Sequence, residues 1–383
     1  MKKNIGKTIT IDVLRLIDDY LGLIFCALFT GIKGLLPSKK QSGYPERILV
    51  MKFWEGGCII LLYPYLKELK RKYSKAKITL FTLSDNKEIC YLLNVADEVV
   101  AVDYKTGVFN FVIQMLKQVI RFRREKQNLL IDLEFLSRSS AMLSYIIAPK
   151  TSVGFYSPFR WRGRIHDSSV LFDDKIHVME NFKNAFLSAG VNINEDEEQQ
   201  QLSVDKEDLK AGKIIEGKYI VINLDRKGFI NQRCWPVENC EAVIKYLIDN
   251  TDYKIAGISS YGFEEINSNF GPRFVNFMGK LSFMQLAELL RNASFFITHD
   301  SGPMHLAAAL GTPTVSLFGP ETPAAYGPKG ENHLVFYKAL ECSPCVDVFK
   351  NKQVKCKHST NKCMQGITVN EVITGIQGRY LAS

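Results

Sequence analysis

From Arg47 onward, short apolar runs alternate with longer stretches in which apolar residues recur every three or four positions. Arg47-Ile48-Leu49-Val50-Met51-Lys52-Phe53 is short and almost uninterrupted, which predicts a strand buried on both faces of a parallel sheet. A Gly-Gly turn follows, then a helix over about 59–73. The runs at 77–82, 99–102, 128–133 and 151–155 predict further strands, with helical stretches between them, notably 109–124. Repeated β-α units predict a parallel sheet with helices on both faces, so the fold class is α/β. The second half repeats the pattern. Strands are expected at 218–224, 253–258, 274–277, 295–298 and 314–318. A helix opened by Pro236 runs to Asp249, and another is capped by Ser282 and ends near Asn292. Between the halves, 192–201 (NINEDEEQQQ) is acidic and nearly free of apolar side chains, the composition of a linker. Three segments follow: an apolar or amphipathic extension at 1–45, a Rossmann-like domain at 46–200, and a second at 201–383 that ends in a helix.

The extension has its own pattern. Residues 21–30 (LGLIFCALFT) are apolar, and the run continues weakly to Leu36 with Lys33 inside it. It is shorter than the ~20 residues a spanning helix needs. Asp12, Asp18 and Asp19 precede the apolar stretch and no small-residue cleavage site follows, which argues against a cleaved signal peptide. With Lys39-Lys40 after it, the segment fits a helix lying in a membrane interface. A helix packed on the protein's own surface is the other reading.

The length of 383 residues suits two α/β domains, and 46% hydrophobic with 23% charged residues excludes extensive disorder. The net charge of +9 favours anionic partners such as diphosphates, phosphorylated lipids or a membrane surface. No RNA- or DNA-binding signature accompanies it, so a nucleic-acid partner is not expected. Cys26, Cys58, Cys90, Cys234 and Cys240 are scattered, as reduced cytoplasmic thiols are. Cys342, Cys345, Cys356 and Cys363 are clustered, with spacing open to structural zinc. No carboxylate/His set and no Asp-x-Asp accompanies them, so no catalytic metal is expected.

The densest chemistry is Thr298-His299-Asp300-Ser301-Gly302-Pro303-Met304-His305-Leu306-Ala307-Ala308-Ala309-Leu310-Gly311-Thr312-Pro313. A strand ends, small residues turn the backbone, and a helix begins. The N–H groups at Ser301 and Gly302 and the helix dipole suit a diphosphate. Asp300 would repel phosphate and is suited to sugar hydroxyls, with His305 one turn into the helix. Alone, the same residues also describe an N-cap aspartate and a buried histidine.

This stretch resembles the glycosyltransferase family 9 heptosyltransferases, whose pattern is Asp-Ser/Thr-Gly, a His, then Leu-Ala-Ala-Ala-Leu-Gly-Thr-Pro. The resemblance continues through Val315-Ser316-Leu317-Phe318-Gly319-Pro320 and Tyr326-Gly327-Pro328. Asn223-Leu224 followed by Arg233-Cys234-Trp235-Pro236 resembles the family's strand-end asparagine and its Lys/Arg before Trp-Pro. A guanidinium there would pair with the departing diphosphate; otherwise Arg233 is a surface arginine. Gly279-Lys280-Leu281-Ser282 resembles a family turn near the nucleotide base, and Gly257 at a strand end would allow close backbone approach, unless both are ordinary turn glycines. In the first domain, Lys52-Phe53-Trp54-Glu55-Gly56-Gly57-Cys58 matches the family's basic residue, loop and Gly-Asp, except that the family aspartate, a general base, falls on Cys58. An unperturbed thiol is a poor base compared with a carboxylate. Glu55 is the nearest replacement. Val153-Gly154-Phe155 precedes Arg160, Arg162 and Arg164, interleaved with Phe159 and Trp161, which suit a phosphorylated glycolipid or else form a solvated basic face. Similar clustered cysteines recur in part of the family, as a structural loop staple.

The resemblance spans about 46–375 and implies a GT-B architecture of two Rossmann-like domains facing a central cleft. It implies an inverting heptosyltransferase-like enzyme using a nucleotide-diphosphate sugar such as ADP-heptose. The acceptor would be a lipopolysaccharide-core or related anionic glycolipid, reached at the cytoplasmic face of the inner membrane, with no catalytic cofactor. Asp300, Glu55, Cys58 and Arg233 are the catalytic candidates. Ser301, Gly302, His305, Asn223, Gly257, Gly279 and Lys280 are the donor-binding candidates, and Arg160, Arg162 and Arg164 those for the acceptor. Cys58 keeps a degenerate sugar-nucleotide-binding protein as the alternative. A nicotinamide oxidoreductase is disfavoured, because no Gly-x-Gly-x-x-Gly follows the first strand.

Overall fold

A computed structural model of the chain describes residues 2–35, 43–194, 201–204, 214–225, 231–260, 270–346 and 356–381, with the backbone alone at 2–10 and 231. Most of the polar stretch 192–201 lies outside these residues, as does the basic pair Lys39-Lys40. The chain divides into two compact units, 1–198 and 199–383.

In the first unit, α1 (Lys2–Gly34) precedes β1 (Arg47–Met51), α2 (Gly56–Leu61), α3 (Tyr63–Lys72), β2 (Lys77–Leu83) and α4 (Lys87–Leu93). Then come β3 (Glu98–Val102), α5 (Val108–Glu125), β4 (Leu129–Asp132), α6 (Arg138–Ile147), β5 (Thr151–Tyr156), β6 (Ser168–Leu171) and α7 (Val178–Ser188). The six strands form one sheet in the order β3-β2-β1-β4-β5-β6, all pairs parallel. The uninterrupted apolar runs fill its centre: Ile48, Leu49, Val50 and Met51 are fully buried. Leu49, Met51, Phe81, Phe122 and Leu130 share one core cluster. The helix expected over 59–73 is in fact α2 and α3, joined at Leu62, which ends one helix and precedes the other. Pro64 near the start of α3 has no N–H to continue the ladder. β6 escaped the apolar-run criterion because it is an edge strand whose residues are alternately exposed.

α1 is longer than the apolar run suggested and packs along α6. Cys26 of α1 clusters with Ala141 and Ile165, while Phe29 stacks on Tyr145 with ring centres 4.4 Å apart. Among the described residues, no helix is long and apolar enough to cross a membrane.

The second unit contains β7 (Tyr219–Asn223), β8 (Lys254–Ile258), β9 (Phe274–Asn276), β10 (Phe296–His299), β11 (Thr314–Phe318) and β12 (Leu334–Tyr337). Their order, β12-β11-β10-β7-β8-β9, is that of the first sheet. In each, the first strand lies beside the fourth, and successive strands run outward from that pair. The connections therefore diverge between β1 and β4 and between β7 and β10. Ligands of such sheets bind at these points, beyond the carboxyl ends of the strands. Helices Val237–Asn250 and Phe283–Arg291 begin as expected, at Pro236 and at a capping box between Ser282 and Gln285. The C-terminal helix Val369–Ile376 starts at a second capping box, between Thr368 and Glu371, and buries Val372 and Ile376 in the unit's core.

Candidate functional site

In the second unit the divergence point is flanked by Asn223, the last residue of β7, and by His299, the last of β10. Both are buried. The Asn223 side chain accepts from the Asp225 N–H at 3.0 Å and reaches Thr298 Oγ1 at 3.5 Å. Thr298 Oγ1 in turn lies 3.2 Å from Ser301 Oγ, which ties the two strand ends together. Ser301 is extended, and the helix Gly302–Ala309 starts immediately after it. Pro303 carries no N–H, so the first turn offers its donors at Ser301 and Gly302. His305 is buried one turn further on.

Arg233 and Asp300, far apart in sequence, form an ion pair, Arg233 Nη1 to Asp300 Oδ2 at 2.9 Å. Glu321, just beyond β11, approaches the same guanidinium, with Nη2 to Oε2 at 3.7 Å. The two carboxylates are almost entirely buried, whereas the Arg233 side chain keeps 19% exposure. Glu321 was not a sequence candidate. The available signal was its place directly after Phe318-Gly319-Pro320. His299 lies beside this group, and burial pushes its imidazole below the ordinary value, against the pull of Asp225 and Asp300. It is therefore neutral at pH 7. The Arg233 guanidinium thus lies against both buried carboxylates, next to a helix start with positive character.

Asn361 Nδ2 donates to the carbonyls of Gln232 and Cys234 at 3.3 and 3.0 Å, bracketing Arg233. Asn361 lies within the cysteine-rich segment. Cys342, Cys345, Cys356, Cys363 and His358 line one recess with Gln232 and Pro320. All nine cysteines are free thiols. Burial, then the neighbouring thiols, push Cys345 upward. Among the described residues, no group of three or more His, Cys, Asp or Glu side chains is placed to hold a metal ion.

Two donor candidates have local explanations. A Cβ on Gly257 would come within 2.6 Å of the Phe274 ring, so internal packing by itself accounts for a glycine here. Gly279 has a φ of 67°, which a side chain disfavours, and its N–H donates to Ser259 O at 2.9 Å beyond β8. Lys280 is exposed, its ammonium on Asn276 O at 2.9 Å.

In the first unit the divergence point holds a buried pair. Glu134 Oε1 accepts from Lys52 Nζ at 3.2 Å, from Phe53 N at 2.7 Å and from Trp54 N at 3.0 Å. Burial opposes the charge on Lys52, but Glu134 and then Glu55 outweigh it and hold the ammonium above its ordinary value. This fixes the loop that carries Glu55. Glu55 sits at φ 68° and ψ 79°, a left-handed conformation that costs a side-chain residue about 1–2 kcal/mol. The Cys58 thiol donates to Glu55 Oε2 at 3.1 Å, so the two base candidates are in direct contact.

The acceptor arginines require a correction. Arg162 is 2% exposed. Its guanidinium binds Asp132 Oδ2 at 2.6 Å, Ser140 Oγ at 2.8 Å and the carbonyls of Ser137 and Phe155. Its donors are consumed inside the unit, so it has no surface to offer an acceptor. Arg160 is largely turned onto Asp18 and Asp19 of α1. Arg164 alone of the three is exposed.

The family model described as Glycosyltransferase family 9 (heptosyltransferase) matches residues 115–356, more than half of the chain. Lipooligosaccharide heptosyltransferase 2 of Campylobacter jejuni is 33% identical over 99 residues, 26% of this chain and 29% of that protein. The match thus spans under a third of that relative's length. The crystal structure of the glycosyl transferase family 9 from Veillonella parvula superposes with a TM-score of 0.72 at 20% identity, covering 90% of this chain and 100% of that one. The E. coli heptosyltransferase WaaC with ADP gives a TM-score of 0.66 at 18% identity, covering 87% and 99%. At these identities the two structures establish the fold.

Proposed function

The chain belongs to glycosyltransferase family 9, and from that premise we propose that it is an inverting glycosyltransferase of the GT-B class. The donor is a nucleotide-diphosphate sugar, ADP-heptose in the first instance. The acceptor is a lipopolysaccharide-core or related anionic glycolipid at the cytoplasmic face of the inner membrane. The observation that carries this reading is the Arg233–Asp300–Glu321 cluster beside the helix start at Ser301-Gly302. Transfer separates charge: the anomeric carbon becomes positive while the diphosphate leaves with its bonding electrons. Arg233, the Ser301 and Gly302 N–H groups and His305 take the diphosphate. Asp300 orients the sugar and, with Glu321, faces the developing positive charge. The acceptor oxygen forms the new bond to the anomeric carbon, and Glu55 receives its proton, with Cys58 as a hydrogen-bonding neighbour of that carboxylate.

The cysteine segment is a loop staple in this proposal, and no step uses a metal. Structural zinc on Cys342, Cys345, Cys356 and Cys363 is tested by elemental analysis of the purified protein. Cys58, in place of the family's acid, favours the second reading, a protein that binds the sugar nucleotide without turnover. Acceptor-dependent release of ADP separates the two.

The test of the donor site is Arg233. Arg233→Ala should weaken ADP binding, read by thermal shift and calorimetry, because the guanidinium proposed to pair with the diphosphate is then gone. Arg233→Lys should recover part of it, supplying charge without the fork. Unchanged ADP affinity in both variants removes Arg233 from the site.

A further inference from the structure

We propose that α1, the outward side of α5 and the loop between β5 and β6 form one rigid docking face for an anionic phospholipid bilayer. The inference rests on the reading that the acceptor is a membrane glycolipid, and it assigns the surface that meets the membrane.

α1 has two opposite sides. Outward, Val13, Leu16, Tyr20, Ile24 and Leu28, with Leu35 just past the helix end, recur at three-, four- and seven-residue spacing, and all are exposed, Tyr20 by 70% and Ile24 by 63%. From Tyr20 to Leu35 the one charged residue is Lys33. It is turned inward, with its ammonium 2.9 Å from Asp167. The outward stripe therefore carries no charge for more than three turns. Scattered exposed apolar residues are ordinary, but a contiguous stripe of this length marks an interaction surface.

The inward side explains why this is a face of the unit rather than a loose anchor. Asp18 accepts from the backbone N–H groups of Arg138 and Ser139 at 3.2 and 2.6 Å, adding to the local Ser137 cap, whose Oγ accepts from Ser140 N at 3.2 Å. Its carboxylate also pairs with Arg160 at 3.0 Å. Arg160 lies between Phe159 and Trp161, which are 73% and 41% exposed. The clamp thus ties the segment that carries two exposed aromatic rings to α1. On α5, Phe109, Val112, Leu116 and Ile120 repeat the pattern, also exposed, and the helix ends in exposed Arg123 and Arg124. Ile11 and Leu14 of α1 and Phe111 and Met115 of α5 pack against one core cluster, so the two helices are neighbours.

A bilayer interface matches each of these elements. The uncharged stripe suits the boundary of the acyl chains, the aromatic rings suit the headgroup level, and the basic end of α5 suits anionic lipid. No described helix spans a membrane, so the face lies on the surface. Asp18 and Arg160 also join this face to residues 136–139, just past the carboxyl end of β4. The acceptor-side strand ends of this unit are thereby held next to the lipid.

The experiment uses the full chain and sedimentation with vesicles of phosphatidylcholine, with and without phosphatidylglycerol, while ADP binding is followed in parallel by thermal shift. The wild type should pellet with the phosphatidylglycerol vesicles and less with phosphatidylcholine alone. The pair Ile24→Glu, Leu28→Glu should weaken vesicle partitioning by about tenfold or more and leave ADP binding and the melting temperature unchanged. Bromine-labelled acyl chains should quench wild-type fluorescence, and most of that quenching should vanish in Trp161→Phe, which holds the test open if the charged pair disrupts folding. A wild type that does not pellet overturns the inference even if it binds ADP, and the donor reading then stands. Equal pelleting of wild type and the charged pair also overturns it. So does a wild-type dimer that the charged pair dissociates without any lipid binding, since the occupant is then a second copy. Loss of ADP binding in a wild type that pellets leaves the docking face intact and removes the donor reading instead.

Discussion

The two units share one strand order and one divergence point, yet they treat charge there in opposite ways. In the first, the ionised groups near the strand ends are sealed. The side chains of Lys52 and Glu134 are 4% and 5% exposed, and those of Arg162 and Asp132 1% and 0%. Burial opposes the charge of Asp132, but Arg162 and then His166 outweigh it and lower its carboxyl below the ordinary range. Burial also holds His166 below its own ordinary value, hence neutral. These groups bind one another and backbone carbonyls, and so set the shape of the loops. In the second unit the partly exposed Arg233 guanidinium lies between two buried carboxylates, beside the start of a helix. Identical topology therefore supplies a rim, and the degree of desolvation decides whether its charges are structural or available to a ligand. The exception in the first unit is Glu55, held half-buried in a strained conformation by the loop that the sealed pair fixes.

The largest expected effect breaks the sealed side. Arg162→Ala leaves Asp132 buried without its main partner and should cost about 3–5 kcal/mol of stability. Chemical denaturation should show this loss with ADP affinity preserved. An unaltered midpoint together with lost acceptor use would return Arg162 to the acceptor site.

Next comes the open side. Asp300→Ala should reduce transfer by roughly a hundredfold or more, about 2.7 kcal/mol of barrier, with the fold intact by circular dichroism. Near-wild-type turnover would exclude Asp300 from the chemistry.

The exception gives a third test. Glu55→Gln should lower turnover roughly a hundredfold with little change in donor affinity, whereas Cys58→Ser, which keeps a donor to Glu55, should be mild. A dead Cys58→Ser with an active Glu55→Gln would exchange the roles. The smallest effect on stability is that of Glu55→Gly, which relieves the left-handed backbone and should add about 1 kcal/mol while lowering transfer as Glu55→Gln does. A destabilised Glu55→Gly would mean that the carboxylate's contacts outweigh the strain.

Much of the scaffold was legible in the chain. The central strands are uninterrupted apolar runs, because a parallel strand covered on both faces has no polar side to reveal. Edge strand β6 was missed because half its residues face solvent and two of the four are serines, and β12 because its apolar run, Leu334 to Tyr337, is only four residues long, too short for periodicity to distinguish. In the site, the strand-turn-helix at Thr298 to Gly302 could be read locally, and so could Arg233 ahead of Trp235-Pro236. Glu321 could not, because its relation to Arg233 depends on the carboxyl ends of two strands meeting. Gly257 was read either as room for a ligand or as an ordinary turn glycine, and the Phe274 ring occupies the space a side chain there would need.

The sequence by itself determined where the central strands and the capped helices lie, since caps, prolines and apolar periodicity act within a few residues. It also determined that Asp300, Ser301 and Gly302 lie at a strand end. Tertiary structure alone decided that Arg162 is a core residue while Arg164 is exposed, although the two stand two positions apart in one basic stretch. It alone decided that Asp18 of α1 caps α6. The reason is that desolvation and charge pairing depend on what the fold brings opposite a side chain, and those partners lie on other strands and helices, beyond the reach of any local pattern.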